Sequence, residues 1–150
     1  MTQIAPDSPD SRVARPENPG LELRQPMPQP GPLVAVIVPT LNERGNVHEL
    51  VARLERALAG DEWEVIFVDD DSTDGTAAVV RELSRTDRRV RCVQRLGRRG
   101  LSGAGREGML ASSAPYIAVI DGDLQHDEKL LPEMLADLRS GSLDVAVGSR

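Results

Sequence analysis

The run Ile117-Ala118-Val119-Ile120-Asp121-Gly122-Asp123 carries an apolar stretch straight into two carboxylates separated by a single glycine. In extended backbone the side chains alternate with period two, so Asp121 and Asp123 are expected to project to the same side, with nothing bulky at Gly122 to block a ligand. Two such carboxylates repel each other and any phosphate. The pair therefore makes physical sense beside an oxygen-seeking cation such as Mg²⁺ or Mn²⁺. Paired acids can equally face water, and the motif alone leaves both readings open. Gln125, two residues further along the same period, offers a neutral oxygen to a metal shell. His126 is either a further ligand or a surface histidine leading into a helix, and His48 reads as solvent-facing.

Other chemistry-bearing residues sit at comparable places. Pro39-Thr40-Leu41-Asn42-Glu43 follows an apolar run, as does Asp69-Asp70-Asp71-Ser72-Thr73-Asp74-Gly75-Thr76. Part of the second cluster is helix capping, since Asp, Ser and Thr satisfy orphan N–H groups. The rest suits the hydroxyls and ring N–H groups of a nucleoside. A glycine-rich stretch, Gly100 to Gly105, either cradles phosphate or lets a helix approach a sheet closely; its spacing matches neither the dinucleotide fingerprint nor the P-loop. Nine arginines lie between Arg81 and Arg106 against Glu82 and Asp87 alone. They read as a solvated basic face or as an attractor for phosphates and anionic lipid heads. Arg150 offers a guanidinium to a phosphate, or is frayed as the last residue.

The elements that must position these groups follow from periodicity. Five short β-branched runs, Val34 to Val38, Glu64 to Val68, Val90 to Gln94, Tyr116 to Ile120 and Asp144 to Val147, start 26 to 30 residues apart. They read as strands buried on both faces. Helical patterns lie between them: Val47, Leu50, Val51, Leu54 and Leu58 with Asn46 as expected N-cap, then Val79, Val80 and Leu83, and later Leu131, Met134, Leu135 and Leu138 after an Asp127 cap. Alternation of this kind predicts an α/β fold with a mainly parallel sheet, whose ligands bind beyond the carboxyl ends of the strands.

Composition narrows the function. At 150 residues the chain allows one domain, expected over 33–150 after a disordered tail over 1–32 that holds eight of the eleven prolines. A net charge of -6 with one Trp, one Tyr and one Phe argues against nucleic acid. The single Cys92 cannot form an internal disulfide and fits a reduced, cytoplasmic setting. No apolar run reaches the roughly 18 residues of a membrane span, and no signal peptide is evident.

The motifs VIVPTLNE (Val36 to Glu43), IFVDDDSTDGT (Ile66 to Thr76), GLSGAGREGM (Gly100 to Met109), VIDGDLQHDE (Val119 to Glu128) and VGSR (Val147 to Arg150) occur in this order. Together they resemble family 2 glycosyltransferases of the GT-A fold, most closely the dolichol-phosphate and polyprenol-phosphate mannose synthases. The resemblance implies a Rossmann-like GT-A nucleotide-sugar-binding fold, here incomplete. It implies that Pro39, Leu41 and Glu43 line the nucleotide pocket, with Leu41 where an aromatic is frequent, and that Val68 and Asp70 hold the nucleoside. Asp121, Gly122 and Asp123 would meet the diphosphate and its Mg²⁺ or Mn²⁺, with Asp121, Asp123 and Gln125 as metal ligands and Arg150 as a phosphate contact. Gly122 stands where alanine is usual.

The implied reaction is inverting transfer of mannose from GDP-mannose to a polyprenyl phosphate, peripherally at the cytoplasmic face of a membrane, with the catalytic weight on Asp121 and Asp123. Members continue past the Arg150 position, so this chain is expected to be the donor-binding half, marginally stable and nearly inactive in isolation, with the membrane surface reached through the missing part or a partner. A family 2 transferase using a UDP-sugar is the alternative within the enzyme class. A non-catalytic nucleotide-binding module is the alternative outside it. A receiver-type signalling domain fits less well, because its acid pair should follow the first strand.

Overall fold

The computed structural model describes residues 31–148; residues 1–30 of the expected tail, and Arg150, lie outside the described residues. Four parallel strands, β1 (Val34–Thr40), β2 (Trp63–Asp69), β3 (Val90–Gln94) and β4 (Tyr116–Val119), form a sheet in the order β3-β2-β1-β4. The helices are α1 (Val47–Ala57), α2 (Thr76–Thr86), α3 (Leu101–Leu110) and α4 (Leu131–Arg139), the last preceded by a 3₁₀ turn over Glu128–Leu130. The α/β class, the parallel sheet and the first four strands therefore form as expected. The two central strands, β1 and β2, are buried along nearly their whole length, as strands covered on both faces must be.

Alternate side chains of β1 and β2 feed two cores. Val34, Val36, Val38, Val65 and Phe67 pack with Val47, Leu50 and Leu54 of α1, Val80 of α2 and Leu135 of α4. Ala35, Ile37, Ile66 and Val68 pack beneath Ala104 of α3 on the other face. This second core is thin because α3 presents glycine. A Cβ added at Gly108 would lie 2.2 Å from Ile37 Cγ2 and 2.9 Å from Val68 Cγ2. Close packing is thus one use of the glycine-rich stretch. Because the blocking methyl of Ile37 is β-branched and held in the core, it cannot swing aside. Gly108→Ala is expected to lose about 1–3 kcal/mol to overpacking, more than the up to about 1 kcal/mol that alanine gains in helix propensity, as read by equilibrium urea unfolding.

Two local expectations are corrected. Asp144–Val147 forms no strand: β4 pairs with β1 alone, and Val145 and Val147 are 72% and 84% exposed. A β-branched run without a hydrogen-bonding neighbour has nothing to hold it extended. The segment Ala146 to Gly148 instead lines a cleft of about 730 Å³ between β4 and α4. Asn46 does not cap α1 through its side chain; its backbone is helical and its Nδ2 donates to Glu43 Oε2 at 2.6 Å. Asp127 does act as a cap, accepting from Lys129 N–H at 3.1 Å, but for the 3₁₀ turn that leads into α4. Burial pushes the Cys92 thiol above its ordinary pKa, which leaves it protonated and unreactive. Among the described residues no helix is long and apolar enough to cross a membrane.

Candidate functional site

Strand order reverses between β1 and β4: from β1 the chain proceeds outward to β2 and β3, then returns to the other side of β1. The carboxyl ends of β1 and β4 therefore flank the crevice where open α/β sheets bind ligands. Both motifs that carry the chemistry end there.

At the β1 tip, Leu41 is exposed, Glu43 is half-buried and Thr40 is buried with no partner for its Oγ1. Asn42 adopts a left-handed backbone, φ +60°, which costs a non-glycine residue energy unless neighbours fix it. Its neighbours do so. Asn42 N–H donates to Ser72 Oγ at 2.9 Å, and Asn42 Oδ1 accepts from Thr73 N–H at 3.0 Å. Glu43 N–H donates to Thr76 Oγ1 and Arg44 N–H to Asp74 Oδ2, each at 3.0 Å. Much of the Asp/Ser/Thr cluster is thus occupied in holding the β1 tip. The Thr76 hydroxyl, helped by the backbone N–H groups of Arg44 and Thr76, holds the Asp74 carboxyl below its usual range. The stability gained from that depression is present above the unfolded carboxylate pKa and lost as pH falls through the lower folded one.

At the β2 tip, Val68 is fully buried under α3, so its side chain is closed to a nucleoside. Asp69 is also fully buried; its Oδ2 accepts from Ser72 N–H at 3.0 Å, while its Oδ1 has no partner. Asp70 has both oxygens engaged. Oδ1 pairs with Arg95 Nη1 at 2.6 Å, and Oδ2 accepts from Gly100 N–H at 2.7 Å. Arg95 is 5% exposed and donates further to Gly100 O at 3.1 Å and to Glu107 Oε1 at 3.3 Å. Its guanidinium lies where a Cβ at Gly103 would stand, 2.6 Å from Nη2. Asp70 therefore clamps the loop before α3, and Gly100 spends its N–H inside the protein. Sequence reasoning missed Arg95 as part of the site; the signal was a buried aspartate in need of a counter-ion, with a glycine eight residues beyond the arginine.

At the β4 tip the strand stops at Val119, and Asp121 to Asp123 lie in a turn that ends in Leu124 at φ +63°. Strand alternation thus does not set the directions of Asp121, Asp123 and Gln125, contrary to expectation. Local hydrogen bonds do: Asp123 Oδ1 accepts from Gln125 N–H at 3.0 Å, and Asp121 Oδ2 lies 3.1 Å from His126 Nε2. Arg53 of α1 braces the turn by donating to Leu124 O at 3.3 Å. Gly122 is buried against β1. A Cβ there would meet Thr40 Cγ2 at 3.1 Å and Glu43 Cγ at 3.5 Å, so an alanine would press on the β1 tip.

Asp121 Oδ1 and Asp123 Oδ2 have no partner among the described residues. Both side chains are exposed at the crevice. Among the described residues no three His, Cys, Asp or Glu side chains converge as a cage for a metal. A hard cation such as Mg²⁺ is held in other proteins by one or two carboxylates, with water and ligand phosphates completing its shell. The arrangement can bind a cation and, through it, a diphosphate.

Of the nine arginines, five are tied to carboxylates: Arg85 to Glu82, Arg89 to Asp87 and Glu55, Arg91 to Glu64, Arg95 to Asp70 and Arg98 to Glu107. Arg81 donates to Gln94. Most of the basic run is therefore a paired surface.

A family model for glycosyl transferase family 2 matches residues 35–150. A dolichol-phosphate mannosyltransferase of Pyrococcus furiosus is 41% identical over 117 residues, covering 78% of this chain and 33% of that protein. A dodecaprenyl-phosphate galacturonate synthase of Rhizobium johnstonii is 36% identical over 120 residues, covering 78% and 36%. A mannosyltransferase from Pyrobaculum calidifontis, solved with GDP-Man and Mn²⁺, superposes with a TM-score of 0.56 at 30% identity, covering 70% of this chain and 32% of that one. The chain thus spans about a third of the length of these relatives. Its sheet is the Rossmann-like core of the GT-A fold, and the chain belongs to glycosyl transferase family 2.

Proposed function

We propose that this chain is the donor-binding part of a glycosyltransferase that moves mannose from GDP-mannose to a polyprenyl phosphate, with inversion and with Mg²⁺ or Mn²⁺. The observation that carries the reading is the Asp121-Gly122-Asp123 turn packed against Thr40 and Glu43 at the reversal of strand order. The names of the Pyrococcus and Pyrobaculum relatives support mannose, and those of the Pyrococcus and Rhizobium relatives support a polyprenyl phosphate.

Asp121 and Asp123, with Gln125, would hold the metal, and Leu41 and Glu43 would line the nucleotide side with Pro39 behind them. The metal supplies positive charge where the departing diphosphate accumulates negative charge. The acceptor phosphate has its second pKa near 6, so it is largely ionised at neutral pH and attacks the anomeric carbon without a protein base. In this reading Asp121 and Asp123 bind and orient, and need not move a proton. We place the working enzyme peripherally at the cytoplasmic face of a membrane.

Isothermal titration with Mn²⁺ tests the donor. GDP-mannose and GDP are expected to bind at least about ten-fold more tightly than UDP-glucose or UDP-N-acetylglucosamine, a difference of about 1.4 kcal/mol. The galacturonate synthase, similar over a like span, favours the second reading, in which the acceptor class is kept and the sugar differs. Preference for a UDP-sugar would establish that reading in place of ours.

A further inference from the structure

We infer that the loop from Leu96 to Leu101 is a docking tip for an anionic bilayer surface, on the same carboxyl-end side of the sheet as the nucleotide crevice; the inference rests on the reading that the acceptor is a lipid phosphate. Leu96, in the loop, and Leu101, the first residue of α3, are 71% and 63% exposed and supply the apolar part of the tip. Between them stand Arg98 and Arg99. Arg99 has no partner among the described residues, and neither has Arg106 on the following turn of α3. Arg98 holds Glu107 at 2.8 Å yet keeps a side chain 61% exposed. The chain as a whole is acidic, at -6, so these cations are a local exception.

The nearby carboxylates cancel them only in part. Asp70 is buried against Arg95 and Glu107 is shared by Arg95 and Arg98, while Asp71, whose Oδ2 accepts from the neutral Gly97 N–H at 3.4 Å, keeps its charge and offsets one of Arg99 and Arg106. The same contacts, with Gly100 held by Asp70, fix the loop to the β2 tip, so it is presented in one orientation at the carboxyl end of the sheet, beyond β3. Leucine at the acyl boundary and arginine at the headgroup phosphates is the division of labour of interfacial segments. The docking is shallow, reversible and sensitive to salt.

The test is flotation of the 150-residue chain with phosphatidylcholine vesicles prepared with and without phosphatidylglycerol. Binding is expected only with the anionic lipid. Arg99→Gln should lower partitioning about five-fold, as one arginine near a charged surface does, and Leu96→Ser/Leu101→Ser should lower it further. Excess inorganic phosphate at constant ionic strength should leave it unchanged. Circular dichroism of each variant should match the parent, since all these side chains are exposed. Equal binding to neutral vesicles, release by phosphate, unaltered partitioning of both variants, or no binding at low salt would each overturn the inference. Titration with GDP-mannose reads the donor site separately: donor binding without vesicle binding removes only the docking tip, and the converse removes only the donor reading.

Discussion

Truncation of Arg95 to alanine is expected to cost about 3–5 kcal/mol of folding free energy, the loss typical when one partner of a buried ion pair is removed. The cost arises less from the missing attraction than from what remains. Asp70, 6% exposed, would keep a carboxylate among groups that cannot hydrate it, with only the Gly100 N–H still donating. Glu107 would lose one of its two arginines, and Gly100 O one of its two donors, keeping the Ala104 N–H. Urea unfolding of parent and variant reads the difference; a loss below about 1 kcal/mol, the value of a solvated pair, would show that water reaches Asp70. The double replacement Arg95→Met with Asp70→Asn is expected to lose much less than the sum of the singles, because the amide oxygen can still accept from Gly100 and no charge is stranded.

Replacement of Asp123 by alanine is expected to abolish the Mn²⁺-dependent part of donor binding, a drop of at least about 100-fold, at or beyond the top of the range carried by the outer hydrogen-bond partners of metal ligands. Two consequences combine. A carboxylate leaves a cation that has only one or two from the protein, and the turn loses its Asp123 to Gln125 hydrogen bond. Asp123→Asn separates them, since it can keep the turn while removing the charge. Titrations of GDP-mannose with Mn²⁺ and with a chelator provide the measurement. Binding that is indifferent to metal in the parent, or to the substitution in its presence, would remove these residues from the site.

Particular residues show why some of this was legible in the chain and some was not. The central strands were, because Val34 to Val38 and Glu64 to Val68 are β-branched runs whose hydrophobicity suffices to bury them. That the motifs gather at one edge also followed, since parallel strands share a carboxyl end. Asp144 to Val147 has the same composition and forms no strand, because extended structure depends on a neighbour that lies elsewhere in the chain. The directions of Asp121 and Asp123 were misjudged for a local reason: the strand stops at Val119, and a turn held by Gln125 N–H, His126 and Arg53, ending in a left-handed Leu124 that propensity argues against, takes its place. The Asp70 to Arg95 pair spans 25 positions, and no periodicity reports a contact of that kind.

The seam between the first two strand tips has a mechanical consequence. Asn42, Glu43 and Arg44 are stitched to Ser72, Thr73, Asp74 and Thr76, so the two loops move as one body. The turn that bears Asp121 and Asp123 meets that body through the van der Waals surface of Gly122 and is tied to α1 by the Arg53 to Leu124 O hydrogen bond. A substitution on either of the first two loops is therefore transmitted to the other, whereas the β4 turn answers to α1 through Arg53.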